Sequence, residues 1–271
     1  VLVLKEKNNN GKQDPYEVAL KKAGYSAHFL PVLSHRLVNL ESIQHVISGT
    51  PLSNEKYSPS YSGVVFTSQR AVEAWATAGQ AIIDSDTSSD LLAGTDLPFY
   101  AVGPATSFAL QRLDERLRPP SSLILGAEET GNAVKLASYI VSRQESCYDA
   151  SQHSLPLLYL GGDKRKDTLS SLLKQGNITM HEIEAYETFP SPTFEADYAA
   201  LEAYGHFEWI VFFSPSGAKL LLPLLPQKTV DKSPRFAAIG PTTRDYLLSQ
   251  AGVEVSAMAE SPNPDSLITA M

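Results

Sequence analysis

Short apolar runs alternate with mixed, helix-patterned stretches along this chain of 271 residues, which is the signature of an α/β protein. Residues 1–5 read as a buried strand, followed by a loop and a helix over 15–23 with Gly24 as its stop. Residues 27–33 form the next strand. The same order returns as strand 155–160, helix 168–174, stop Gly176 and strand 182–186. Later parts repeat too. Gly63-Val-Val-Phe-Thr-Ser68 and Phe99-Tyr-Ala-Val-Gly-Pro-Ala-Thr106 match Trp209-Ile-Val-Phe-Phe-Ser-Pro-Ser-Gly217 and Phe236-Ala-Ala-Ile-Gly-Pro-Thr-Thr243. Strands at 123–125 and 253–255 each lead through Ala-Glu into a last helix. The pattern predicts an internal duplication, two similar domains with parallel sheets flanked by helices. Coincidental likeness among α/β units is the alternative. Polar or proline-rich stretches at 48–62, 84–98, 144–156 and 223–234 read as loops, and a simple domain cut falls near residue 150.

Each repeated unit is an apolar strand that stops at Ser or Gly-Pro and turns into a helix. Such a helix start presents free backbone N–H groups and the positive dipole end, an arrangement that binds anions. Four such turns in two matching pairs predict two domains facing one anionic ligand. The candidate ligand contacts are Thr67, Ser68, Gly103, Thr106, Ser214, Ser216, Gly217, Thr242 and Thr243, with simple N-capping as the competing role. Arg70 and Lys219 follow two of these turns. Gly161 and Lys164 belong to Gly161-Gly-Asp-Lys-Arg-Lys166, where positive charge opposes the dipole of the next helix and so points to an anion partner. Lys5, at the end of the first strand, is a similar candidate.

Composition narrows the classes. A content of 43% hydrophobic and 19% charged residues fits a soluble globular protein, and no apolar run reaches the ~20 residues of a membrane span. The net charge of −8 argues against nucleic acid as partner. The single cysteine, Cys147, and the lack of a leader pattern predict a reducing, cytoplasmic setting, with Cys147 an incidental surface thiol. His28, His35, His45, His153, His181 and His206 form no close ligand pairs, so no metal site is expected. The phosphate cradles GxGxxG and GxxxxGK[ST] are missing, as is GxSxG. Ser216-Gly-Ala-Lys219 lacks the other elements of an SxxK enzyme, and Asn177-Ile-Thr179 would matter as a glycosylation acceptor in a secreted protein alone. The inventory fits an enzyme without cofactor or covalent nucleophile, or a two-domain protein that closes on a small anion without catalysis. A sugar- or nucleotide-handling enzyme is disfavoured.

Phe66-Thr-Ser68, Phe212-Phe-Ser-Pro-Ser-Gly217, Ala237-Ala-Ile-Gly-Pro-Thr-Thr243 and Glu184-Ala-Tyr-Glu-Thr188 resemble the uroporphyrinogen-III synthase family of the eukaryotic type. Gln13-Asp-Pro-Tyr16 and Ala259-Glu-Ser-Pro262 fit as well, so the resemblance spans nearly the whole chain. It implies a discontinuous first domain of residues 1–33 plus 188–271 and a second of 37–183. Crossovers near 29–38 and 183–190 would pair as a two-stranded β linker. The implied activity is cyclisation of hydroxymethylbilane, a linear tetrapyrrole with many carboxylates, to uroporphyrinogen III with loss of water and inversion of the last ring. No cofactor is implied. Tyr186 becomes the catalytic candidate, as a donor to the leaving oxygen. The implied partner is that small anionic substrate, with no nucleic acid and no membrane, and the implied enzyme is a cytoplasmic monomer. Gly162 and Asp163 depart from the family pattern, which expects Asn and an apolar residue in that turn.

Overall fold

In the computed structural model the chain opens with β1 (Leu2–Leu4), α1 (Pro15–Lys22) and β2 (His28–Phe29). There follow β3 (Leu33–Leu37), α2 (Leu40–Ile47), β4 (Gly63–Phe66), α3 (Gln69–Asp84), β5 (Phe99–Ala101) and α4 (Pro104–Gln111). Next come β6 (Ile124–Gly126), α5 (Ala133–Cys147), β7 (Leu157–Gly162), α6 (Thr168–Gln175) and β8 (Met180–Pro190). The last part holds α7 (Phe194–Glu202), β9 (Trp209–Phe212), α8 (Pro215–Leu221), β10 (Arg235–Ala238), α9 (Pro241–Ser249), β11 (Ala257–Met258) and α10 (Pro264–Ala270). The structure describes residues 1–8, 13–50, 60–85, 97–147, 155–163, 167–225 and 233–271, with the backbone alone for 145–147.

The chain folds as two units, Val1–Ser34 with Phe189–Met271, and His35–Thr188. In the first unit the strand order is β11-β10-β9-β1-β2, with all neighbours parallel. In the second unit it is β3-β8-β7-β4-β5-β6, parallel from β8 to β6. The chain passes between units within β3 and β8, which neighbour each other in the second sheet. Helices on both faces explain the unbroken apolar strands: every residue of β1, β4, β7 and β9 is buried. One face of the second sheet packs around Trp75, Phe66 and Phe99, the other around Tyr100, Leu136 and Leu157. In the first unit, Phe212 and Leu4 anchor one face, and Trp209 and Val211 the other.

Local chemistry sets the element ends. Asp14 caps α1 by accepting from Tyr16 N, Pro15 occupies the first helical position, and Gly24 takes a φ of 87° beyond its end. α6 stops at Gly176 as the sequence predicts, although the left-handed residue is the next one, Asn177 (φ 57°). Three expectations differ. The strand expected over 27–33 breaks at Pro31 into β2 and β3, because proline has no N–H for the ladder. Residues 253–255 are not a strand: Val253 N donates back to Leu247 O at the end of α9, and β11 forms later. The loop expected over 144–156 begins later, since α5 continues to Cys147. The side chain of Cys147 lies outside the described part.

Candidate active site

The parallel strands of the second unit all end on one side, and the helices that follow start there. A cavity of about 320 Å³ opens at these carboxyl ends, the place where α/β sheets bind ligands. It is lined by Thr67 and Arg70 after β4, Val102 after β5, and Ala133 at the start of α5. Tyr159, Gly162 and Asp163 come from β7 and its turn, Leu169 from α6, and Tyr186 and Thr188 from β8.

Tyr186 is held there by the strand register. β7 and β8 pair evenly up to Gly161↔Glu184, then slip so that Gly162 faces Tyr186. A bulge of this kind re-aims a side chain. Gly162 is required beneath it, because a Cβ at that position would stand 2.6 Å from Cε2 and Cζ of the Tyr186 ring. Asp163 secures the other side: its N–H donates to Tyr186 O at 3.1 Å and its Oδ1 accepts from Thr188 N at 2.9 Å. The Arg70 guanidinium carbon lies 6.0 Å from the ring centroid, a cation–π contact.

The predicted turns divide by chemistry. Ser68 caps α3 by accepting from Ala71 N at 3.2 Å, and Ser214 caps α8 by accepting from Gly217 N at 3.3 Å. The Gly217 N–H is therefore occupied, and the glycine packs against Leu4 and Val32. The two Gly-Pro turns have no side-chain cap: Gly103 and Gly240 are extended, at φ −167° and 179°. Thr106 and Thr243 sit in the first turns of α4 and α9 with buried side chains, whereas Thr242 is exposed. In the second unit the two turns adjoin, with Gln69 Nε2 donating to Ala105 O at 3.2 Å.

Of the predicted residues, Thr67, Ser68, Arg70, Gly103, Thr106, Gly161 and Tyr186 belong to the second unit. Thr67, Arg70 and Tyr186 line the cavity together. Lys5, Ser214, Ser216, Gly217, Lys219, Thr242 and Thr243 belong to the first unit, and Lys164 lies outside the described residues. Ser216 occupies the first turn of α8, and Lys219 is exposed, its Nζ 5.6 Å from the Tyr246 ring centroid. Lys5 makes an ion pair with the fully buried side chain of Asp14. Its ammonium also lies 5.3 Å from the ring centroids of Tyr16 and Phe29 and 6.0 Å from that of Phe213. Burial by itself pushes the Asp14 carboxyl up. The hydrogen bonds from Lys5, Asn8 N and Tyr16 N, with the Lys5 charge, bring it below its ordinary value. Burial, then the Asp14 charge, raises Tyr16.

Sequence reading missed Tyr159 as a site residue. The signal was present: a tyrosine two places before a Gly-Gly pair at the end of a buried strand. Among the described residues no group of three or more His, Cys, Asp or Glu is placed to hold a metal ion, and no helix is long and apolar enough to cross a membrane.

The family model described as uroporphyrinogen-III synthase HemD matches residues 14–269. The uroporphyrinogen-III synthase of Schizosaccharomyces pombe is 28% identical, over 100% of this chain and 95% of its own. That of Saccharomyces cerevisiae is 30% identical over the same shares. The crystal structure of uroporphyrinogen-III synthetase from Helicobacter pylori 26695 shares the fold, with a TM-score of 0.53 at 17% identity, over 99% of this chain and 96% of that one. With a family match across nearly all its length, this chain belongs to the uroporphyrinogen-III synthase family.

Proposed function

We propose that this protein closes hydroxymethylbilane to uroporphyrinogen III at the cavity beside Tyr186. The reaction loses the hydroxymethyl oxygen as water, leaving a cationic azafulvene that the last pyrrole attacks at its substituted carbon. The spiro intermediate fragments and recloses with that ring reversed. Nothing is oxidised or reduced, so positioned donors and charges suffice for the chemistry. Tyr186 donates its O–H to the departing oxygen. The helix starts of the second unit, at Ser68 and Gly103, offer N–H groups to substrate carboxylates. Arg70 supplies positive charge at the cavity itself. On this reading the protein is a monomer that works in the cytoplasm on a small molecule, with no nucleic-acid partner.

The observation that carries the reading is the seating of Tyr186 on Gly162 at the strand ends, within reach of Arg70 and Thr67. The linear substrate also cyclises unaided to the non-inverted isomer, which supplies an internal control. Purified protein is expected to yield the inverted isomer, and Tyr186→Phe to lose much of the ~10²–10⁴-fold contribution of a positioned proton donor. Wild type yielding the non-inverted isomer alone sinks the activity. An undiminished Tyr186→Phe removes Tyr186 from the mechanism.

A further inference from the structure

Among the described residues the cavity wall holds two charged side chains, and their signs are opposite: Arg70 after β4 and Asp163 after β7. Arg70 lies against the Tyr186 ring. Asp163 is exposed, and among the described residues no lysine, arginine or histidine makes an ion pair with it. Its local work is to accept from Thr188 N through Oδ1, at 2.9 Å. That work needs an oxygen acceptor and no charge, so asparagine or serine would serve the turn as well. A carboxylate facing a substrate that itself carries many carboxylates is a cost, because like charges repel. It becomes a gain only against a positive charge, and the proposed reaction makes one.

We propose that Asp163 is a second catalytic residue, whose carboxylate accepts the N–H of the azafulvene ring and stabilises its positive charge, while Arg70 faces the substrate carboxylates. This inference rests on the cavity being the reaction site. As the C–O bond breaks, its electron pair stays with the oxygen, which takes the Tyr186 proton and leaves as water. The ring left behind carries one positive charge, spread onto its nitrogen. The phenol regains a proton from the ring carbon that loses one as the macrocycle closes. The positive charge is absent from both the linear substrate and the product. A carboxylate therefore acts most strongly on the transition state and the cation, which raises kcat and leaves KM alone. Asp163 is placed for this beside Tyr186, since its N–H donates to Tyr186 O at 3.1 Å and its Oδ1 holds Thr188, two residues further along β8.

The test removes the charge and keeps the turn. Asp163→Asn and Asp163→Ser each retain an oxygen for Thr188 N, and both are assayed on the full chain with hydroxymethylbilane, alongside thermal unfolding. Water screens an exposed carboxylate, so the expected loss in kcat is about 10- to 100-fold, below the ~10²–10³ of a buried electrostatic contact. KM should stay the same or fall, because a repelling charge is gone, and the melting temperature should hold. Inhibition by uroporphyrinogen III is the second readout. The product has the carboxylates and the pyrrole N–H groups without the cation, so the neutral variants should bind it no more weakly than wild type. Wild-type kcat in either neutral variant overturns the proposal. So does a loss confined to KM and product binding, which would make Asp163 a ground-state contact. Failure of both variants to fold overturns it too, because the carboxylate would then serve the fold. Tyr186→Phe in the same assay separates the two readings. If it is undiminished, the assignment of the cavity has failed. If it is impaired while Asp163→Asn is not, the Asp163 role alone has failed.

Discussion

β7 runs out of the second sheet through Gly161, Gly162 and Asp163 beside a cavity, whereas β1 runs out of the first sheet into Lys5. The registers align the two places. Leu160 pairs with Phe66 and Leu4 with Phe212, so Gly161 and Lys5 correspond, as do Thr67 and Phe213. In the second unit the glycines make room for two phenol rings. In the first unit a long cation fills the corresponding space, tied to Asp14 and faced by Tyr16, Phe29 and Phe213. One framework therefore supports two kinds of strand end, and the residue after the strand decides which. Asp14 thus balances the Lys5 charge within the first unit.

The contrast breaks most sharply at Gly162. Gly162→Ala puts a methyl group 2.6 Å from the Tyr186 ring, so the ring or the strand must move. Overpacking of this sort costs about 1–3 kcal/mol of stability. A displacement of roughly 1 Å at a reacting group can cost about 10²-fold in rate. Steady-state kinetics and a melting curve should show both losses. A variant with the wild-type rate would mean that the seat beneath Tyr186 is immaterial to catalysis.

On the other side of the comparison, Asp14→Asn leaves Lys5 without its counter-charge. Losing one partner of a fully buried pair costs about 3–5 kcal/mol, and the 23% exposure of the Lys5 side chain reduces this to about 2–3 kcal/mol. Because the Asp14 carboxyl is lowered from its ordinary 3.8, its contribution is fully present above that value and lost as pH falls through the lower folded value. Denaturant unfolding across that acid range should slope less steeply for Asp14→Asn than for wild type. Equal slopes would show that the Asp14 charge does not support the fold there.

These strand ends also mark how far the sequence could be read. Strands such as Gly63–Phe66 and Trp209–Phe212 were legible because unbroken apolar runs ending in a capping serine have few other uses. The β2–β3 break was within reach, since Pro31 stands in the expected strand and prolines end ladders. Short β11 was not, because its place depends on Ser256 N donating to Phe236 O across the sheet. In the cavity, Thr67 and Arg70 followed from their turn. The place of Tyr159 before a Gly-Gly pair was visible, but its partner was not, since its hydroxyl meets a residue 92 positions away and the strand register brings them together. Nor could the bulge opposite Tyr186 be read from spacing alone.

A smaller effect separates the two serine turns. Ser68 and Ser214 cap their helices at nearly equal distances, 3.2 and 3.3 Å. Ser68→Ala and Ser214→Ala should therefore each cost about 1 kcal/mol, or 2–4 °C in melting temperature. Activity should distinguish them. Ser68 lies between Thr67 and Arg70, both at the cavity, so fraying the start of α3 should lower turnover more than fraying α8. Equal losses of rate would remove this asymmetry between the units.

The smallest expected effect lies at Gly103, which has the extended geometry of an N-cap without a capping side chain. Its φ and ψ of −167° and 172° are close to those of Ser68, −153° and 156°. A Cβ there would meet nothing within 4 Å. Gly103→Ser is thus free of strain and supplies the missing cap, a gain of a few tenths of a kcal/mol. The new hydroxyl would also occupy an N–H at the start of α4 that the proposed function leaves for a substrate carboxylate. The variant should then be slightly more stable and bind substrate more weakly, with KM raised by about two- to fivefold for one weakened hydrogen bond. A melting curve and a Michaelis plot read the two effects separately. Added stability with an unchanged KM would mean that the N–H groups of α4 do not hold the substrate, and would leave Ser68, Arg70 and Thr67 as the anion contacts of the second unit.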